Sequence, residues 1–181
     1  MMQAVFVRHT AVDVPKGMCY GQTDVPLRNT FEQEAAVVKK NIPPRTYQAV
    51  YTSPLSRCVR LASYCGRGDA QRDNRLKEMD FGHWEWQPLA EQDPAEFTRW
   101  LNDPLHEPAP GGESIMMMTD RLLDFLKERH AANERNLLLF AHGGIILAAE
   151  ILLGKKVEGD PYAHLHPYGA VVPMDFTPLF P

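Results

Sequence analysis

Apolar residues in this chain fall either into short unbroken runs or into stretches spaced by three and four. The unbroken runs are Ala4-Val5-Phe6-Val7, Ala49-Val50-Tyr51-Thr52 and Leu137-Leu138-Leu139-Phe140-Ala141. Runs of this length predict strands covered on both faces, as in a parallel sheet. A fourth extended segment, Ala170 to Phe176, contains Pro173 and therefore suits a sheet edge. Helical spacing fills the intervals. Thr30 to Gln33 has capping-box spacing ahead of a helix that ends near Lys40, and Pro43-Pro44 stops it. Ser53-Pro54 predicts a helix start, with Leu55, Cys58, Val59, Ala62 and Cys65 on the buried face. Asp93-Pro94-Ala95-Glu96 opens a short helix through Trp100. A longer one follows Ser114, with Ile115, Met118, Leu122 and Phe125 on one side and Met116-Met117-Met118 straddling core and surface. Residues 11–29, 76–86 and 103–112 read as loops. Strands alternating with helices predict a layered α/β domain.

The apolar runs end in chemically matched ways. The first gives Arg8 and His9, and the second runs into a helix carrying Arg57. The third gives His142 followed by Gly143-Gly144, which allow close backbone approach. Open α/β sheets hold ligands at the carboxyl ends of their strands, so two arginines and two histidines are expected at one edge. Helix N-termini starting there add N–H donors and positive dipole ends. Such a cluster suits a tetrahedral dianion. An attacking imidazole must be neutral, and neighbouring guanidinium groups favour the neutral form. His9 is the candidate nucleophile, with Arg8, Arg57 and His142 on the non-bridging oxygens. The leaving alkoxide needs a proton, and Glu78 is the candidate donor, since a carboxyl beside a phosphate dianion favours its protonated form. Taken singly, Arg57 reads as a solvated helix arginine, His142 as a hydrogen-bonded core histidine and Glu78 as a surface acid. Their joint placement outweighs those readings.

Composition narrows the rest. The 181 residues are 44% hydrophobic and 23% charged, as expected of one soluble domain spanning 1–181. With 19 basic against 23 acidic residues the net charge is -4, which argues against nucleic-acid or membrane-surface partners. Three cysteines make no disulfide framework, and the start of the chain shows no signal-peptide pattern, so a cytoplasmic location is expected.

Five motifs then fall in the order of a known family. Arg8-His9-Thr10, Thr52-Ser53-Pro54-Leu55-Ser56-Arg57-Cys58, Glu78-Met79-Asp80-Phe81-Gly82-His83-Trp84-Glu85, Pro110-Gly111-Gly112-Glu113-Ser114 and Ala141-His142-Gly143-Gly144 together resemble the histidine phosphatase superfamily, which includes phosphoglycerate mutases and fructose-2,6-bisphosphatases. The resemblance implies a three-layer α/β/α fold with a mostly parallel sheet and an antiparallel edge strand. It also implies a phosphohistidine at His9, proton donation by Glu78, phosphate binding by Arg8, Arg57 and His142, and no metal or other cofactor. Two positions depart from the pattern: Thr10 stands where glycine is commoner, and Trp86 where many relatives have glycine after Trp-Glu. Cys19-Tyr20-Gly21-Gln22-Thr23-Asp24-Val25-Pro26-Leu27 looks most like α-ribazole phosphatases, which implies α-ribazole 5′-phosphate as the small-molecule substrate. Tyr20, Gly21, Gln22, Thr23 and Trp84 are then the expected substrate contacts; one or more of the loop aromatics Tyr20, Phe81, His83, Trp84 and Trp86 would stack on the base, the competing reading being that Trp84 and Trp86 seal the loop against the core.

Competing readings are a phosphoglycerate mutase, a broad-specificity phosphatase and a catalytically silent phosphate-binding module. A metal hydrolase built on His164-Leu165-His166 lacks a nearby carboxylate or cysteine to complete a ligand set.

Overall fold

The computed structural model describes residues 1–180. Five strands, β1 (Gln3–Arg8), β2 (Ala49–Thr52), β3 (Gln71–Arg72), β4 (Asn136–Ala141) and β5 (Val171–Asp175), form one sheet in the order β3-β2-β4-β1-β5. The β1–β4, β2–β4 and β2–β3 pairs are parallel, and β5 runs antiparallel along β1. Pro173 sits in that edge strand, where its missing N–H costs least. The two-residue β3 goes beyond the sequence reading, because two exposed polar residues carry no apolar signal.

Strand side chains alternate between two cores. Val5, Val7, Leu138 and Phe140 pack with residues of α1 (Phe31–Asn41) and α2 (Ser56–Tyr64). Ala4, Phe6, Leu137 and Leu139 pack on the other face with α4 (Ile115–Ala131) and α5 (Gly143–Leu152). The short α3 (Pro94–Asn102) brings Trp100 to that second core. The architecture is thus three-layer α/β/α with a mostly parallel sheet and an antiparallel edge.

Two helix starts differ from the sequence reading. Thr30 does not cap α1; its hydroxyl donates to Glu34, whose carboxylate also accepts from Ala11 N at 2.9 Å and so ties the loop after β1 to the helix. Ser53-Pro54 is a turn rather than a first helical turn, and α2 begins at Ser56. Asp24, from the loop 11–29, accepts from both Ser56 N at 2.9 Å and Ser56 Oγ at 2.8 Å. A cap supplied from 32 residues away leaves no local sequence signature.

Candidate active site

The carboxyl ends of β1, β4 and β2 lie side by side, held by His9 N to Ala141 O at 3.2 Å and Ser53 N to Phe140 O at 2.8 Å. This brings His9 and His142 together, their rings edge-on with centroids 5.2 Å apart. Both are buried. His9 Nδ1 lies 2.8 Å from Thr10 O, so that nitrogen carries the proton and Nε2 keeps its lone pair. Burial holds the His9 pKa well below the usual histidine value; the Arg57 charge adds to this, the Thr10 bond opposes it, and Arg8 lowers it further. His142 is likewise depressed by burial, then by Arg57 and by His9. Its Nε2 is 2.8 Å from the Ser53 hydroxyl. Two neutral imidazoles in a cationic pocket are the state a nucleophile requires.

Both arginines are fixed by backbone carbonyls. Arg57 is fully buried and donates to Gly21 O at 2.5 Å and Thr23 O at 2.9 Å. Arg8 donates to His166 O and lies 4.2 Å over the Tyr168 ring. Each keeps a buried Nε–H with no acceptor, a donor suited to an anionic oxygen. The solvated-helix reading of Arg57 is therefore overturned.

The loop that holds Arg57 is itself held by one carboxylate. Glu85 accepts from Gly21 N at 3.1 Å, Gln22 N at 2.8 Å, Thr23 N at 3.1 Å, the Thr23 hydroxyl and Phe81 N at 3.2 Å. Burial opposes its ionisation, but these donors together bring its pKa below the ordinary glutamate value. Gly21, Gln22 and Thr23 thus turn their amides to Glu85 and position an arginine, and they are not among the residues that line the cavity. Glu85 lies within one of the five motifs, but its role has no local signal.

Glu78 sits across the pocket at the start of α5. One carboxylate oxygen accepts from Met79 N at 3.0 Å, the other from Gly144 N at 3.1 Å. A Cβ on Gly144 would overlap Glu78 Oε1, so a larger residue there would displace this carboxyl. One N–H at each of two helix N-termini is already engaged: Gly144 N by Glu78 and Ser56 N by Asp24. Glu113 of the Pro110–Ser114 motif pairs with Arg121 at 2.7 Å, and Arg121 donates to Glu78 O at 3.0 Å, so this motif braces the acid-bearing segment.

Arg8, His9 and Glu78 open onto a cavity of about 260 Å³. The remaining wall is largely apolar, with Met18, Leu89, Trp100, Met118, Tyr162 and Leu165 among its residues. Tyr20 and Tyr168 close one side, their hydroxyls 2.7 Å apart. Trp84 does not line it. That indole is buried against Phe97 and Trp100, so the expected stacking on substrate by Trp84 is corrected to a core contact. Tyr162 and Tyr168 escape a reading of the sequence because a loop without periodicity hides which side chains face inward. His164 and His166 have separate partners, Glu158 O at 2.9 Å and the Glu150 carboxylate at 2.8 Å.

A parallel sheet edge presenting two histidines, two arginines and a facing carboxylate defines an enzyme that handles phosphate monoesters. In agreement, the profile of the histidine phosphatase superfamily, branch 1, matches residues 4–178, and the chain belongs to that family. It is 32% identical to the uncharacterized phosphatase PhoE of Bacillus subtilis (strain 168), over 89% of this chain and 80% of the relative. It is 29% identical to the glucosyl-3-phosphoglycerate phosphatase of Mycolicibacterium vanbaalenii, over 87% of this chain and 76% of the relative. Among solved structures, the phosphoglycerate mutase from Thermus thermophilus superposes with a TM-score of 0.76 at 28% identity, covering 97% of this chain and 94% of that one.

Proposed function

We propose that the chain hydrolyses a phosphate monoester through a phosphohistidine at His9, and that the ester is α-ribazole 5′-phosphate. His9 Nε2 attacks phosphorus, the bond from phosphorus to the ester oxygen breaks, and the Glu78 carboxyl gives its proton to the departing alcohol oxygen. Arg8, Arg57 and His142 stabilise the charge on the equatorial oxygens. In the second half Glu78 takes a proton from water, whose oxygen displaces Nε2 from phosphorus. Inorganic phosphate leaves and neutral His9 returns.

The observation that carries the substrate reading is the wall of the cavity. Among its lining residues Arg8 is the sole lysine or arginine, and that side chain belongs to the phosphate. A phosphoglycerate would leave its carboxylate against Met18, Leu89, Trp100 and Leu165 without a cation, at a desolvation penalty of a few kcal/mol. An uncharged, flat alcohol suits that wall. The test is phosphate release from α-ribazole 5′-phosphate, 3-phosphoglycerate, fructose 2,6-bisphosphate and an aryl phosphate, with chelator present. Strong preference for the first is expected. Equal rates on all four would make the chain a general phosphatase, and interconversion of phosphoglycerates would make it a mutase.

A further inference from the structure

Trp86 combines an unfavourable backbone with an unburied side chain. Its φ is +58°, in the left-handed region where a Cβ crowds the following carbonyl. Among the described residues the other non-glycine with positive φ is Asn133, a type that tolerates this conformation. A bulky aromatic does not. Nor does core packing account for it, since the indole is 43% exposed whereas Trp84 and Trp100 are 1% and 5% exposed. Strain held at a non-glycine without burial points to a role for the side chain.

The surroundings indicate which. Trp86 N donates to Cys19 O at 2.9 Å, Cys19 N to Gln87 O at 2.9 Å and Leu89 N to Gly17 O at 2.9 Å, with Met18 bridged to Pro88. This short antiparallel ladder is a wall of the cavity, for Met18, Cys19 and Leu89 line it and Trp86 does not. Trp86 is thus joined to that wall through its backbone, while its exposed indole stands outside the cavity lining. It also follows Glu85 directly, whose carboxylate ties down residues 21–23.

We propose that Trp86 is a specificity-determining residue whose exposed indole stacks on the flat ring of the alcohol where that ring emerges from the cavity. The inference rests on the phosphatase reading above and assigns one part of the substrate to one side chain. Base-on-aromatic stacking corresponds to about a 5- to 100-fold effect on binding. The ligand therefore needs a planar ring set off from the phosphate by a spacer such as a ribose.

The experiment compares α-ribazole 5′-phosphate with ribose 5-phosphate as competitors of p-nitrophenyl phosphate hydrolysis. It uses the unmodified chain, Trp86→Gly and Trp86→Phe. Trp86→Gly should raise the inhibition constant of the first ligand about 5-fold or more and leave that of the second unchanged. Trp86→Phe should restore most of the loss. In the unmodified chain α-ribazole 5′-phosphate should quench the solvent-exposed tryptophan emission, and in Trp86→Phe that component should vanish. Equal inhibition constants for the two ligands in the unmodified chain, or an equal change for both in Trp86→Gly, overturn the proposal. Tight, Trp86-dependent binding of α-ribazole 5′-phosphate without its turnover supports the stacking role and strikes only the substrate assignment.

Discussion

Replacing Glu85 by glutamine tests whether the phosphate site is held from outside. The carboxylate receives Gly21 N, Gln22 N, Thr23 N, the Thr23 hydroxyl and Phe81 N. A glutamine retains one carbonyl oxygen and turns an NH₂ group toward donors that then have no acceptor. Two or three bonds are lost, and since Glu85 is half-buried and water replaces some of them, the cost is about 3 kcal/mol. For a chain of this size that lowers Tm by about 6–12 °C. The second consequence is functional. Gly21 O and Thr23 O are the acceptors of Arg57, so a loosened loop releases the guanidinium. Losing one well-placed charged donor corresponds to about 1.5–3 kcal/mol, or about 10- to 100-fold in kcat/KM. In the proposed mechanism Arg57 serves the phosphoryl group and not the alcohol, so every substrate should lose the same factor. The pH dependence has a definite sign. Glu85 has a folded pKa below the unfolded value of about 4.3, so its contribution is present above that value and is lost as pH falls through the folded one. The Tm gap between Glu85→Gln and the unmodified chain should therefore shrink in acid. The assays are calorimetry from about pH 3 to 7, spanning that carboxylate's titration, and steady-state kinetics on an alkyl and an aryl phosphate. An unchanged Tm with unchanged kcat/KM would falsify the reasoning, and losses that differ between substrates would place Glu85 at the alcohol instead.

Two further outcomes follow from the geometry. His9 and His142 are held neutral by burial and then by Arg57, so their folded pKa values lie below the unfolded value near ~6.5. That stability is present above about pH 6.5 and falls away as pH drops and the unfolded histidines protonate. An imidazole NMR titration should give His9 a midpoint well under ~6.5, moving upward in Arg57→Met; a midpoint at or above ~6.5 in the unmodified chain would refute the neutral-nucleophile reading. Gly144→Ala drives a methyl into Glu78 Oε1 and must displace that carboxyl. Hydrolysis of an alkyl phosphate should fall about 100-fold, against less than about 10-fold for p-nitrophenyl phosphate, whose leaving group needs no proton. Equal losses on both would remove Glu78 as the acid.

The linear order of residues was enough for the parts that rest on local physics. Apolar runs that stop at Arg8-His9, Thr52-Ser53 and Ala141-His142 read directly as strand ends, because burial on both faces demands unbroken apolar sequence. Parallel pairing then put both histidines at one edge, which follows from strand direction alone. The Ile115, Met118, Leu122 and Phe125 face of α4 was legible from the fixed helical period. Only the tertiary structure decided what the loops do. Trp84 and Trp86 stand two residues apart in one loop, yet one is buried against α3 and the other is exposed with a left-handed backbone. Gly21, Gln22 and Thr23 read as substrate contacts in the sequence, whereas their amides are held by Glu85, which follows them by 62 to 64 residues. Irregular backbone has no repeat that relates position to direction. The face a loop residue presents is set by whichever distant group satisfies its hydrogen bonds, and that partner exists only once the chain has folded.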